Sequence, residues 1–125
     1  MVKWWVALAG LNGFIGVASG AYGFHGLAEK VSDTQHITAF QLGAQFQLIH
    51  AVVLIGVGWM ASRAMPMANL AGCAFCLGIV LFTGSLYALP FTSSSLVIMA
   101  TPLGGLSFMI GWALIMLSGL RDHHS

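Results

Sequence analysis

AFQLGAQFQLIHAVVLIGVGWMA, running from Ala39 to Ala61, is the stretch that decides how this chain is read. It exceeds the roughly 20 apolar residues that a helix needs to cross hydrocarbon. It contains no charged residue, yet its first half carries Gln41, Gln45, Gln47 and His50. An ionisable group in mid-span is costly in lipid and turns toward a bundle interior or a cavity. The stretch therefore needs other apolar segments around it. The chain supplies them: 58% of its 125 residues are hydrophobic and only 6% are charged. A soluble domain carries about 25% charged residues. With a mean hydropathy of +0.92, the expectation is one all-α integral membrane domain, a four-transmembrane-helix bundle set in a lipid bilayer. A net charge of +1 offers no basic face to a nucleic acid and no acidic tail.

The spacing predicts spans at about 4–27, 37–62, 67–89 and 96–120. The first begins beside Lys3 with Trp4 and Trp5, an interfacial aromatic pair next to a cation. Its apolar run is too long for the 7–15-residue core of a signal peptide, so it is read as a retained span. Asn12, Gly13, Gly16, Ser19, Gly20 and Gly23 recur at helical spacing. A small-residue stripe of this kind lets membrane helices approach closely. Ser32 with Gln35 resembles a capping box for the second helix, which extends from near Asp33 to Ser62. That is about 45 Å at 1.5 Å per residue, so its start lies at the interface or bends near Gly43. Met65-Pro66-Met67 reads as a turn whose proline opens the third helix. Pro102 should kink the fourth helix, with Thr101 beside it to re-satisfy freed backbone groups.

Four spans put both termini on one side. Lys3, Arg63 and Arg121 fall there and Lys30 falls opposite, so the positive-inside rule places both termini in the cytoplasm. Cys73 and Cys76 lie within an apolar run and read as small packing residues. The His123-His124 pair reads as a solvated tail or a purification remnant. Ser19-Gly20-Ala21-Tyr22 is echoed by Thr83-Gly84-Ser85-Leu86-Tyr87, and Gly58-Trp59 by Gly111-Trp112. An old duplication of a helical hairpin would produce this, and so would small-residue bias.

Ser19-Gly20-Ala21-Tyr22-Gly23-Phe24-His25-Gly26-Leu27 resembles the G-A-x-G-A-H-G-L ending of the first span in the family catalogued as domain of unknown function 423. Ile49-His50-Ala51, Phe82-Thr83-Gly84-Ser85-Leu86-Tyr87 and Thr101-Pro102-Leu103-Gly104-Gly105 followed by Gly111-Trp112 are similar to that family in the same order. The family usually has Ser where this chain has Thr83, which keeps the hydroxyl. It often has an aromatic and a His where this chain has Phe46-Gln47, so a two-His reading of the second helix loses support. The resemblance implies a small inner-membrane protein with four spans and supplies no activity.

His50 is the strongest functional candidate. Its structural use would be one hydrogen bond to a neighbouring helix. Its sharper use would be in a small cavity open to the outer side, walled by Gln47, His50, Asn12, Ser19, Thr83, Ser85 and Tyr87, with Tyr22 and His25 at the mouth. Gly13, Gly16, Gly20, Gly23, Gly84, Gly104 and Gly105 are the expected packing positions. Haem would need a second axial ligand at matching depth, and the metal-ligating residues show no ligand spacing, so neither a cofactor nor a metal is expected. Ser85 or Thr83 near His50 lacks an acid to orient the imidazole, so no catalytic residue is assigned. The expected role is an accessory or ligand-binding bundle. The alternatives are a small oligomeric transporter or channel and a lipid or quinone binder. A homo-oligomer or other membrane proteins are the partners expected beyond lipid.

Overall fold

The computed structural model describes residues 2–122 of the chain, so the expectation for His123 and His124 lies outside the described residues. The described residues form helices joined by short turns, without a strand. They build four segments long and apolar enough to cross a membrane: Val2–Phe24, Thr34–Ser62, Ala68–Ala88 and Ser95–Arg121.

The first span, α1 (Val2–Phe24), stops at His25 instead of continuing to Leu27. His25 departs from helical geometry (φ −113°, ψ −65°), and the chain restarts as the short α2 (Gly26–Lys30). This turn of helix buries Leu27 completely. The second span, α3 (Thr34–Ser62), is one continuous helix. Its cap is Asp33 and not Ser32: the Asp33 carboxylate accepts from the Gln35 backbone N–H at 2.9 Å, which satisfies a donor that the first turn otherwise leaves open. After α3 the chain reverses through two non-glycine residues with positive φ, Ala64 (53°) and Met67 (62°). Pro66 lies inside this turn, and α4 (Ala68–Gly78) follows Met67 instead of opening on the proline.

The third span contains a feature that composition does not reveal. After α4 the helix widens to π geometry over Ile79–Thr83 and resumes as α5 (Gly84–Ala88). The fourth span, α6 (Ser95–Arg121), begins where Ser94 Oγ accepts from the Leu96 N–H, and it carries Pro102 within its length.

Packing follows chain order. α1 lies along α3, α6 lies along α4 and the π turn, and α3 joins the two pairs. Trp5, Ala9, Leu54, Val57, Ala71, Phe75, Ile79 and Phe108 make the hydrophobic core. Trp5 Nε1 donates to Asn69 Oδ1 at 2.7 Å, and Arg63 pairs with Asp122 at 3.9 Å. These contacts set the first turns of α1 and the end of α6 at one end of the bundle, with the apolar core filling that half.

The α1–α3 seam is built on small residues. A Cβ on Gly16 would press on Leu48 at 2.9 Å, and one on Gly23 would press on Phe40 at 3.2 Å. Gly13 and Gly20 face Ala51 and Ala44 with ordinary clearance. The tightest approach is elsewhere: Gly104 rests against the backbone of Phe82 in the π turn. Gly105 only touches the Phe82 ring. Gly84 differs from expectation, because a Cβ there meets nothing within 4 Å. Gly72, Gly78 and Gly111, which the small-residue reading passed over, instead admit the rings of Trp5, Phe108 and Phe75.

Candidate functional site

His50 lies on the buried face of α3 and is 3% exposed. Its Nδ1 is 2.7 Å from the carbonyl oxygen of Phe46, one turn back along the same helix. A carbonyl can only accept, so Nδ1 carries the hydrogen and the neutral ring presents Nε2 as a bare acceptor. Nε2 is buried and has no hydrogen-bond partner among the described residues.

Aromatic rings enclose the imidazole. Phe108 stacks on it almost parallel, at 3.9 Å and 10°. Phe75 lies at 5.5 Å, Phe46 at 5.9 Å, and Trp112 stands edge-on at 6.0 Å. These rings come from α3, α4 and α6, so the enclosure exists only when three spans meet. Gly78 and Gly111 make room for two of them.

Gln47 is buried one residue short of a full turn before His50, yet it faces different partners. The Tyr87 hydroxyl donates to Gln47 Oε1 at 2.7 Å, Gln47 Nε2 donates to Asn12 Oδ1 at 3.0 Å, and Asn12 Nδ2 donates to the Leu8 carbonyl at 2.8 Å. Ser19 stands beside the Tyr87 hydroxyl. The result is a head-to-tail chain linking α5, α3 and α1, with all its donors pointing toward the terminal end of the bundle. Such chains polarise one another and strengthen each bond.

A third polar set lies between the π turn and α6. Ser85 Oγ donates to the Phe82 carbonyl at 2.8 Å and pairs with Thr101 Oγ1 at 2.5 Å. Thr83 is 1% exposed, and its hydroxyl has no partner among the described residues.

The residues expected around one cavity are thus brought into one half of the bundle but divided among three sets. Gln47, Asn12 and Tyr87 form the hydrogen-bonded chain, with Ser19 beside it. Ser85 joins Thr101, Thr83 stands in the π turn, and His50 sits among aromatic rings. At the expected mouth, Tyr22 meets Phe40 edge-on at 5.7 Å and Phe40 tilts over Tyr87 at 4.7 Å. His25 is exposed at the break between α1 and α2. Sequence reading missed Phe46, Phe75 and Phe108 as companions of His50, because an apolar ring in an apolar span carries no signal of what it faces. Trp112 stood out only through its Gly-Trp pairing. His50 supplies a single ligand atom, and no group of three metal-ligating side chains lies together among the described residues.

The profile of the family described as "Protein of unknown function (DUF423)" matches residues 19–105. The chain belongs to the DUF423 family. It is 34% identical over 122 residues to the UPF0382 membrane protein YwdK of Bacillus subtilis, covering 96% of this chain and 98% of that one. It is 36% identical over 108 residues to a UPF0382 membrane protein of Haemophilus influenzae, with 86% of each chain covered. It is 33% identical over 120 residues to the UPF0382 inner membrane protein YgdD of Escherichia coli, covering 95% and 91%. No solved structure matches the chain. Together with the four apolar spans, these relatives identify this DUF423 protein as a small integral membrane protein. The family match takes in Ser19, Gln47, His50, Thr83, Ser85, Tyr87 and Thr101 and ends before Phe108 and Trp112.

Proposed function

We propose that this DUF423 protein is a ligand-binding accessory bundle of the bacterial inner membrane, with His50 as the group that meets the ligand. The single observation that carries this reading is the bare, buried Nε2 of His50 within its ring of aromatics. Leaving a buried acceptor unpaired costs about 1–3 kcal/mol. Gln47, three residues earlier on α3, is bonded to the neighbouring helices through Asn12 and Tyr87. A group kept unpaired at such cost is a natural receptor for a donor.

Binding is favoured over passage by the other half of the bundle. Trp5, Leu54, Val57 and Ala71 pack it with apolar side chains, and the hydrogen-bonded chain from Tyr87 ends at the Leu8 carbonyl. The termini face the cytoplasm in this reading, because Lys3, Arg63 and Arg121 gather at their end and Lys30 stands at the other. The outer faces of α1 and α6 expose large apolar side chains and meet lipid, further copies of the chain or other membrane proteins.

The test is native mass spectrometry of the protein purified from membranes in lipid nanodiscs. The wild type should carry a small-molecule adduct that His50→Leu loses while keeping its fold. Identical spectra, with ordinary lipid adducts in both, would reduce His50 to a packing residue.

A further inference from the structure

The enclosure around His50 has one weak wall. α3 and α6 meet there through side chains and make no close helix-to-helix crossing of the kind that joins α1 to α3 or α4 to α6. Phe75 and Phe108 are buried, whereas Trp112 is 46% exposed while standing edge-on to the imidazole. Trp112 is therefore both a lining ring and an outer surface. It lies nine residues before Arg121, about 14 Å along the helix, which places it inside the roughly 30 Å of hydrocarbon. Whatever passes it comes from the bilayer and not from water.

Three requirements then act on the visitor. It must be soluble in lipid. It should be aromatic, because it takes the place of Trp112, which stands edge-on to the imidazole at 6.0 Å, an arrangement that aromatic rings favour. It must also donate a hydrogen to Nε2, because the Phe46 carbonyl holds the ring hydrogen on Nδ1. A quinone oxygen is an acceptor and would face the bare Nε2 lone pair. A quinol hydroxyl is a donor and would satisfy it.

Resting on the proposed ligand-binding reading, we propose that the His50 enclosure takes the headgroup of a membrane-soluble quinol, admitted from the bilayer between α3 and α6 by displacement of Trp112. The step is binding alone, without electron transfer. The reduced form is preferred because only it supplies a hydroxyl hydrogen to Nε2.

The test is equilibrium binding of decylubiquinol and decylubiquinone to the full-length protein in phosphatidylcholine nanodiscs, with empty discs as the baseline. The wild type should bind the quinol saturably and about tenfold more tightly than the quinone, the ratio expected from pairing one buried acceptor. His50→Leu should lose that preference, and Trp112→Ala should speed entry. If His50→Leu does not fold, the nitrogen NMR signal of His50 Nε2 in the wild type should move on adding the quinol and stay still with the quinone. Absence of saturable quinol binding, equal affinity for both forms or an unmoved Nε2 signal would overturn the proposal. A native adduct of another chemistry that requires His50 would overturn the quinol assignment and leave the ligand-binding reading standing.

Discussion

At the scale of single residues, space decides more than polarity. Gly104 and Gly84 are both glycines on helical spans, yet they predict opposite outcomes. A methyl on Gly104 collides with the backbone of Phe82, which cannot swing aside as a flexible side chain can. Gly104→Ala should therefore destabilise the protein by about 3 kcal/mol, the upper end for overpacking, seen as a fall in thermal midpoint or loss of folded material. Gly84→Ala places its methyl in open space and should leave the midpoint unchanged. Between them stands Gly20, whose added Cβ meets Ala44 at 3.8 Å. Alanine should be tolerated there and leucine should force α1 off α3, measured as lower yield of folded protein. His50→Leu removes the buried unpaired nitrogen while keeping an apolar filler, so its thermal midpoint should stay near that of the wild type.

At the scale of elements, the spans are joined by two different devices. The α1–α3 seam uses small residues plus one hydrogen-bonded chain, and the α4–α6 seam interlocks rings with glycines. The hydrogen-bonded chain makes a quantitative prediction. A double-mutant cycle of Tyr87→Phe and Gln47→Leu, read by unfolding in detergent micelles, should give a coupling of about 0.6–2 kcal/mol, the range for hydrogen bonds between membrane helices. Independent effects would mean that the two side chains do not act on each other. The elements themselves were largely legible in the residues. Long apolar runs cannot leave their backbone groups unpaired in lipid, which forces helices. What was not legible was local: α1 breaking at His25, Asp33 capping α3 and the π turn at Ile79–Thr83. The break and the π turn each depend on a neighbour. Leu27 is drawn into the bundle, and Phe82 sits against Gly104, and neither contact is written in local composition.

At the scale of the whole molecule, the charges and the core divide the bundle into two unlike halves. One end holds the first turn of α1, the Arg63–Asp122 pair, Lys3 over Trp4 at 5.4 Å and Arg63 over Trp59 at 5.2 Å. Aromatic and cationic residues together mark a membrane interface. Reporter fusions at both ends should report the cytoplasm. In intact cells an impermeant maleimide should label Lys30→Cys, and Arg121→Cys should react only after lysis. The reverse pattern would invert the proposed topology.

Sequence alone determined that this chain is helical, has four spans and lives in a membrane, because hydrocarbon imposes those outcomes on any chain so long, so apolar and so poor in charge. It also singled out Gln47 and His50, since polar side chains are conspicuous against an apolar background. Tertiary structure alone decided that these two neighbours on one helix serve different partners. Gln47 is paired through Tyr87 and Asn12, and His50 is walled by Phe75, Phe108 and Trp112. The reason is geometric. Residues three apart on a helix point in directions far enough apart to meet different neighbours, and which span stands in each direction is settled only when all four have packed.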